Sequence, residues 1–229
     1  MHWLFNHPEW HAINIPYAVD GQPIPKQPPP TTPAPHNALE ALAKNLQDLK
    51  RPDVSGPDKA IALCWVLHLG GDIHQPCHGC NLFSPQFPDG DQGAHLEIVM
   101  RDPPSPNSVK NLHMIWDELP GQFKAMDAID CMARGLESDP KFSRDAMKSA
   151  LSVKDFSAWA QESHDLAIRY VYLNGKLVCA STQPSEDSQT PTPGLPKGYI
   201  DQAEQIAMRR VALAGYRTAD LLNSIFDPR

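Results

Sequence analysis

The sequence predicts an all-α fold, one helical domain with long proline-rich loops over residues 1–229. Three observations carry that prediction. Apolar residues recur at spacings of three and four in segment after segment, the period of helices that bury one face. The segments open on capping residues or proline and close on proline or glycine, where a helix starts readily and continues badly. Strand signals are thin: only "GAHLEIVM", residues 93–100, alternates, and weakly enough to be either one strand or a buried turn.

The elements follow in order. "HNALEALAKNLQDL" places Leu39, Leu42, Leu46 and Leu49 on one face and ends before Pro52. "GPDKAIALCWVLHLGGD" opens on proline with Asp58 in its first turn. It is apolar nearly all round from Ala60 to Leu69, which predicts burial on most sides. "SVKNLHMIWDEL" predicts a third helix, entered through Ser108 and closed by Pro120 and Gly121. "SVKDFSAWAQESHDLAIRYVY" predicts a fourth, capped by Ser152 with Asp155 at the fourth place of a capping box. "GYIDQAEQIAMRRVALAGYRTADLLNSIF" is a long closing helix. Two stretches, residues 22–35 and 183–198, are rich in proline, which removes amide donors and clashes with a preceding turn. They are expected as extended surface loops. Neither joins independent cores and no repeat is present, so a single domain is expected.

Composition narrows the function. A formal charge of −7 and 41% hydrophobic residues give a chain with ample core material and no basic surface for gripping phosphates. Any phosphate chemistry has to borrow positive charge from metal ions. No run of 18 apolar residues exists, so no membrane-spanning helix is predicted, and "MHWLFNHPEW" lacks the regions of a secretory signal. The five cysteines include the pair Cys77 and Cys80 in "CHGC". It has no second pair, which excludes a four-cysteine zinc knuckle and leaves open a local disulfide or two thiols.

Two windows concentrate histidine and aspartate. His68 and Asp72 stand four apart in the second helix, and His113 and Asp117 repeat the pair in the third, so each pair shares a helix face. His78 lies just beyond the first pair. A lone histidine is ordinarily a hydrogen-bonded core or surface residue, but the spacing favours metal ligation. Asp72 in an apolar helix needs a cationic partner, and no Lys or Arg occurs between Lys59 and Arg101. Imidazole mixed with carboxylate favours zinc over calcium or magnesium. Trp65, Trp116 and Trp159 fall at helical spacings that predict core. Phe83 and Phe87, in the loop after the metal motif, are the candidates for stacking on bases.

These windows resemble the signatures of a known family. "HLGGDIHQPCH" is similar to H-x-x-G-D-x-H-Q-P-L-H and "NLHMIWD" to N-L-H-x-x-W-D of the zinc-dependent single-strand-specific nucleases. That is the nuclease S-one/P-one type, related in fold to the zinc-dependent phospholipases C. "EWHAINIP", "WAQESHDLA" and "AGYRTADLLN" resemble further segments of the same family, so the resemblance runs over almost the whole chain. It implies a phospholipase C/P-one nuclease-like helical domain with up to three zinc ions in a cleft. His11 and His68 are then ligands of one zinc of a close pair, with Asp72 bridging to a remote zinc. His78, His113 and Asp117 hold the other member of the pair. His68, Asp72 and Asp117 form the implied catalytic set, around a metal-bound hydroxide that attacks phosphorus and leaves 5′-phosphorylated products. The implied substrates are single-stranded DNA or RNA and 3′-nucleotides, with a monomer as the expected state.

The remaining histidines have lesser expected roles. His74 belongs to the signature without being a ligand, so support of a neighbour or packing is expected. His95 replaces an asparagine of the family pattern, which leaves a substrate-binding contact or a surface residue open. His2, His7 and His36 are expected to be solvated and His164 structural. The family's chains begin with a tryptophan that holds the remote zinc through its amino group and carbonyl, then a histidine and later an aspartate. This chain starts downstream of all three. The expectation is a natural protein that begins upstream and is secreted or periplasmic, with the remote site incomplete in this chain. Two alternatives accompany the nuclease reading. One is a zinc-dependent phospholipase C, which usually has glutamate where Asp117 stands. The other is a truncated, catalytically impaired zinc-binding helical protein.

Overall fold

The computed structural model describes residues 6–26, 35–101, 109–119, 121, 125–181 and 191–227. Most of residues 22–35, the stretch 183–190, and His2, Trp3, Ser108 and Pro120 lie outside the described residues. The architecture is helical, as predicted, with two small sheets added. In chain order, a 3₁₀ turn Pro8–His11 leads to β1 (Ile15–Ala18), α1 (Ala38–Lys50), α2 (Gly56–Asp72), the single turn α3 (Pro76–Gly79) and β2 (Cys80–Phe83). Then come β3 (Ile98–Met100), β4 (Val109–Asn111), α4 (Leu112–Glu118), α5 (Met126–Ser138), α6 (Lys148–Ser152), α7 (Phe156–Leu166) and α8 (Tyr199–Phe226). A π-helical turn, Ala167–Val171, continues α7. Among the described residues no helix is long and apolar enough to cross a membrane.

The 28 residues of α8 run about 42 Å at 1.5 Å per residue, long enough to serve two cores. Its first turns bring Tyr199, Ala203 and Ala207 to a core with Leu112, Ile115, Trp116, Val171 and Tyr172. Its last turns bring Leu221, Leu222 and Ile225 against a second core built from α1, α2 and Trp159, where Leu42, Val66 and Leu69 are fully buried. The end of α2 and the turn α3 lie where the two cores meet, and both metal-motif windows converge there.

Three local expectations are corrected. Helix α2 is not buried on most sides: Ala62, Val66, Leu69 and Gly70 face the core, while Cys64 is exposed and Leu67 is 54% exposed. Helix α4 begins at Leu112, because Asn111 accepts the amide of Met114, and the residues before it pair as β4. Ser152 ends α6, whereas Asp155 caps α7 by accepting the amide of Ser157. Residues 93–100, expected as one strand or a buried turn, supply the short strand β3. The second pair of strands, β1 with β2, is parallel, from Ile15 beside Cys80 to Ala18 beside Phe83. That pairing lays the segment after His11 along the segment after His78.

The carbonyls at the end of α2 are held by side chains from α7 and α8. Arg210 Nε donates to the His74 carbonyl at 2.9 Å and Ser163 Oγ to the Ile73 carbonyl at 2.5 Å. The His74 ring is buried and donates Nδ1–H to the Gly70 carbonyl at 2.8 Å, so its Nε2 accepts from Arg217 at 2.9 Å. Burial and the two arginine charges hold His74 well below the ordinary imidazole range, in agreement with that neutral tautomer. Support and packing, expected for His74, is what it provides. Glu162 neutralises the arginines, meeting Arg210 Nη1 and Arg217 Nη1 and Nη2 at 2.8 Å each.

Beside the first core lies a buried acid, Glu97, 2% exposed, with one carboxyl oxygen lacking a hydrogen-bond partner. Burial first and the neighbouring Asp91 second push its pKa up to about 8, against a hydrogen bond from the Cys179 thiol. Cys80 and Tyr172 also feel its charge, and neither offers a cation. Between its ordinary value of 4.5 and about 8 the folded state holds a proton that the unfolded state has lost. Stability therefore falls as pH rises through that window, by at most ~1.4 kcal/mol per pH unit from this group. Urea unfolding at about pH 5 and about pH 8 is expected to show a loss of stability that Glu97→Gln makes smaller, the remainder including Asp91, which burial raises to about 6. Equal losses in both proteins contradict it.

Candidate metal centre

Each of the six metal-motif residues is positioned by a local device. Trp10 buries its ring, 6% exposed, and its Nε1–H reaches the Pro35 carbonyl at 3.1 Å, which fixes the 3₁₀ turn that carries His11. His68 and Asp72 project one turn apart from the end of α2, and His113 and Asp117 likewise from α4. His78 sits in α3, whose proline start is capped by the Gln75 side chain accepting the Cys77 amide.

The result is two triads. His11 Nδ1, His68 Nε2 and Asp72 Oδ2 stand 2.9 to 3.0 Å apart in every pairing. His78 Nε2 and His113 Nε2 are 3.2 Å apart, and Asp117 places one carboxyl oxygen 3.6 Å from the first and the other 3.5 Å from the second. The triads are joined directly, because His78 Nδ1 donates to the His11 carbonyl.

The chemistry of the second triad decides what it can hold. His113 Nδ1 donates to the Gly93 carbonyl at 2.6 Å, and carbonyls only accept. Both rings therefore carry their proton on Nδ1, and in their neutral forms their Nε2 lone pairs face each other beside a carboxylate. Two acceptors at that distance repel unless a proton or a cation lies between them. Ligand atoms of a tetrahedral zinc lie about 3.3 Å apart, given bonds of about 2.0–2.1 Å. The second triad's separations bracket that figure and the first triad's, at 2.9 to 3.0 Å, fall a little below it, so both donor sets are gathered closely enough to hold a metal ion. Six donors, four imidazole and two carboxylate, can hold two ions.

Electrostatics agree. Burial pushes His113 down to about 4, helped by the charge of His78. Burial also opposes the charged form of His78, but the hydrogen bond to Asp117 and the charge of Asp72 more than offset it. At Asp72, burial is outweighed by the hydrogen bonds to His11 and His68, which take the carboxyl to about 2. Asp72 and Asp117 thus stay ionised at neutral pH, as ligands must.

The carbonyl that orients His113 depends on a glycine. Gly93 has φ +63°, and a Cβ added there would lie 2.7 Å from the Cys77 carbonyl oxygen. The buried carboxylate of Asp91 holds this loop by accepting the amides of Leu82, Gly93 and Ala94 at 2.8, 3.1 and 2.8 Å.

Comparison with known proteins follows the same residues. The model of the S1/P1 nuclease family matches residues 2–227. The chain belongs to this family. Over 195 residues it is 25% identical to nuclease S1 of Aspergillus oryzae, an alignment that covers 80% of this chain and 60% of the relative. The chain therefore spans less than two thirds of that relative's length.

Within this S1/P1 chain, all six sequence-predicted ligands, His11, His68, Asp72, His78, His113 and Asp117, meet in the two triads. His95 joins them: its ring stacks on His113 with centroids 3.7 Å apart and lies exposed at the rim. Phe83 and Phe87 do not join, and their stacking role is corrected. They are 2% and 5% exposed, because β2 buries the first and the turn from Ser84 folds the second back into the core. Trp116 and Trp159 are buried as expected, whereas Trp65 is partly exposed. His7 is not simply solvated, since its ring stacks on Trp10 at 3.9 Å. His164 is buried, as a structural residue should be. Cys77 and Cys80 are buried free thiols.

Gln75 was not singled out by its residue type. Its Nε2 donates to Asp117 Oδ1 at 2.9 Å while its Oε1 caps α3, so one amide ties the Asp117 carboxylate to the His78 turn. The signal lay in its place between two histidines of the signature. Gln75→Leu removes both bonds, and is expected to weaken metal binding by about 10- to 100-fold, the range for losing a ligand's hydrogen-bond partner. Competition against a chromophoric chelator measures this, and unchanged affinity contradicts it.

Proposed function

We propose that this chain is a zinc-dependent phosphodiesterase of the nuclease type, hydrolysing single-stranded DNA or RNA and 3′-nucleotides to 5′-phosphorylated products. The observation that carries the reading is the second triad, two imidazole lone pairs held face to face beside a carboxylate, joined to a first triad of the same composition. Family membership supports a nuclease, and the relative from Aspergillus oryzae bears that name.

Zinc, when bound, supplies a Lewis acid and brings the pKa of a coordinated water towards neutrality. The chain's residues do the rest. Backbone carbonyls of His11 and Gly93 fix the rings of His78 and His113, so no reorganisation of ligands is needed during reaction. Asp72, at the meeting point of His11 and His68, and Asp117, held by Gln75, supply negative charge that balances the cations. His95 edges a polar cavity of about 470 Å³ with Asn14, Asn81 and Gln92, which offers hydrogen bonds to a phosphate or sugar beside the second triad. The overall charge of −7 makes bound cations the means by which a polyanion is attracted.

The test is hydrolysis of heat-denatured and duplex DNA by zinc-loaded protein. Faster cleavage of denatured DNA, 5′-phosphate ends, and loss on chelation with recovery on zinc addition are expected. Zinc bound with no cleavage of either substrate rejects the reading.

A further inference from the structure

Three consecutive residues beside the second triad, Gln92, Gly93 and Ala94, take left-handed backbone angles, with φ of +58°, +63° and +69°. Only the glycine does so freely. Successive carbonyls in a left-handed run point the same way, as in any helix, and these three are all in use. The Gln92 carbonyl accepts Nδ1–H of His95 at 2.8 Å, and the Gly93 carbonyl accepts Nδ1–H of His113 at 2.6 Å. The Ala94 carbonyl accepts the His113 amide at 3.2 Å. Two imidazoles anchored through the same atom to neighbouring, parallel carbonyls are set to stack. Their rings lie 3.7 Å apart by centroids and 27° from parallel. Both Nε2 atoms therefore project to the same side. That of His113 faces His78 and Asp117, where a cation fits. That of His95 stands beside it, exposed and without a hydrogen bond among the described residues.

What this nitrogen can recognise follows from where the ring keeps its proton. With Nδ1–H given to a carbonyl, the neutral ring offers a lone pair at Nε2 and nothing to donate. A further positive charge is disfavoured on a ring stacked against the ligand of a cation, so the neutral form is the one that meets substrate. An ionised phosphate only accepts hydrogen bonds and gains nothing from such a nitrogen. The nearest donor to the phosphate in a nucleic acid is the 2′-hydroxyl of ribose, on the carbon next to the one that bears the 3′ oxygen. Deoxyribose has no donor there.

We propose that His95 is a specificity residue for ribose, accepting the 2′-hydroxyl at Nε2 and so favouring RNA over DNA. This rests on the nuclease reading and names the substrate class within it. The stack on His113 ties the sugar contact to the metal triad, so the sugar is sensed where its own phosphate is held.

Binding is read without turnover, using phosphorodithioate dinucleotides of uridine, whose base has no amino group to donate in place of the hydroxyl. The zinc-loaded protein is titrated calorimetrically with the ribo, 2′-deoxy and 2′-fluoro forms, the last keeping a ribose-like pucker without the donor. The ribo form is expected to bind roughly 3- to 10-fold more tightly than either of the others, the worth of one hydrogen bond. It is also expected to shift the nitrogen NMR resonance of His95 Nε2, which the other two leave in place. His95→Phe, at an exposed position, keeps a ring on His113 and removes the nitrogen, and is expected to bind all three forms alike. Equal binding of the ribo and deoxy forms by the unsubstituted protein overturns the proposal. So does a ribose preference that survives in His95→Phe, or one that the 2′-fluoro form shares. Cleavage of single-stranded DNA and RNA with no ribose preference in binding overturns the role of His95 and leaves the nuclease reading standing. Ribose-dependent binding and resonance shift without cleavage of either polymer does the reverse.

Discussion

Asp117→Ala is expected to lower phosphodiester hydrolysis by more than about a hundredfold, beyond what losing an outer hydrogen-bond partner of a ligand costs. The expectation follows from what remains. Without the carboxylate, His78 and His113 still face each other at 3.2 Å, with their Nδ1 protons committed to carbonyls, but a bound cation loses its anionic ligand. The fold should tolerate the change, because the Asp117 side chain is 48% exposed and sits on α4 opposite the buried Trp116 and Ile115. Circular dichroism and urea unfolding are therefore expected to be near wild type while one equivalent of metal is lost. Retained activity with one metal fewer removes the second triad from the reaction.

Glu162→Ala is expected to have the largest effect on stability. Arg217 is 1% exposed and Arg210 is 5% exposed, and Glu162 is the acid that both guanidinium groups contact. Removing one partner of a buried charge cluster costs about 3–5 kcal/mol, because the charges left behind are desolvated and unpaired. For a chain of this size that lowers the melting temperature by about 6–20 °C. The effect should reach the metal centre, since Arg210 and Arg217 hold the turn that follows Asp72 through the His74 carbonyl and ring. Weaker zinc binding at temperatures where the variant is still folded is expected. A melting temperature within a degree or two of wild type contradicts the clamp.

How much of this was legible in the sequence depends on the range of the interaction. The pairs His68 with Asp72 and His113 with Asp117 were readable because helical spacing alone puts each pair on one face. The absence of Lys and Arg between Lys59 and Arg101 correctly removed a local salt bridge for Asp72. Its partners are imidazoles, one of them His11 from 61 residues away. The clamp on the end of α2 was not legible, because its arginines come from α8, more than 130 residues along the chain. Nor was the parallel pairing of β1 with β2, since four-residue strands carry too little alternation to announce themselves. Phe83 and Phe87 misled for a related reason. Their position after the metal motif suggested exposure, but a turn closed by the Ser84 and Phe87 backbones returns the loop to the core. Trp65 misled in the opposite direction, since helical spacing cannot say which side of α2 is covered.

Six side chains from four elements, the 3₁₀ turn, α2, α3 and α4, are proposed to hold metal ions as two triads. Anomalous scattering at the zinc absorption edge from crystals of the zinc-loaded chain tests this most directly. One peak is expected within bonding distance of His11, His68 and Asp72, and another within bonding distance of His78, His113 and Asp117. Ordered triads with no peak at either would contradict it.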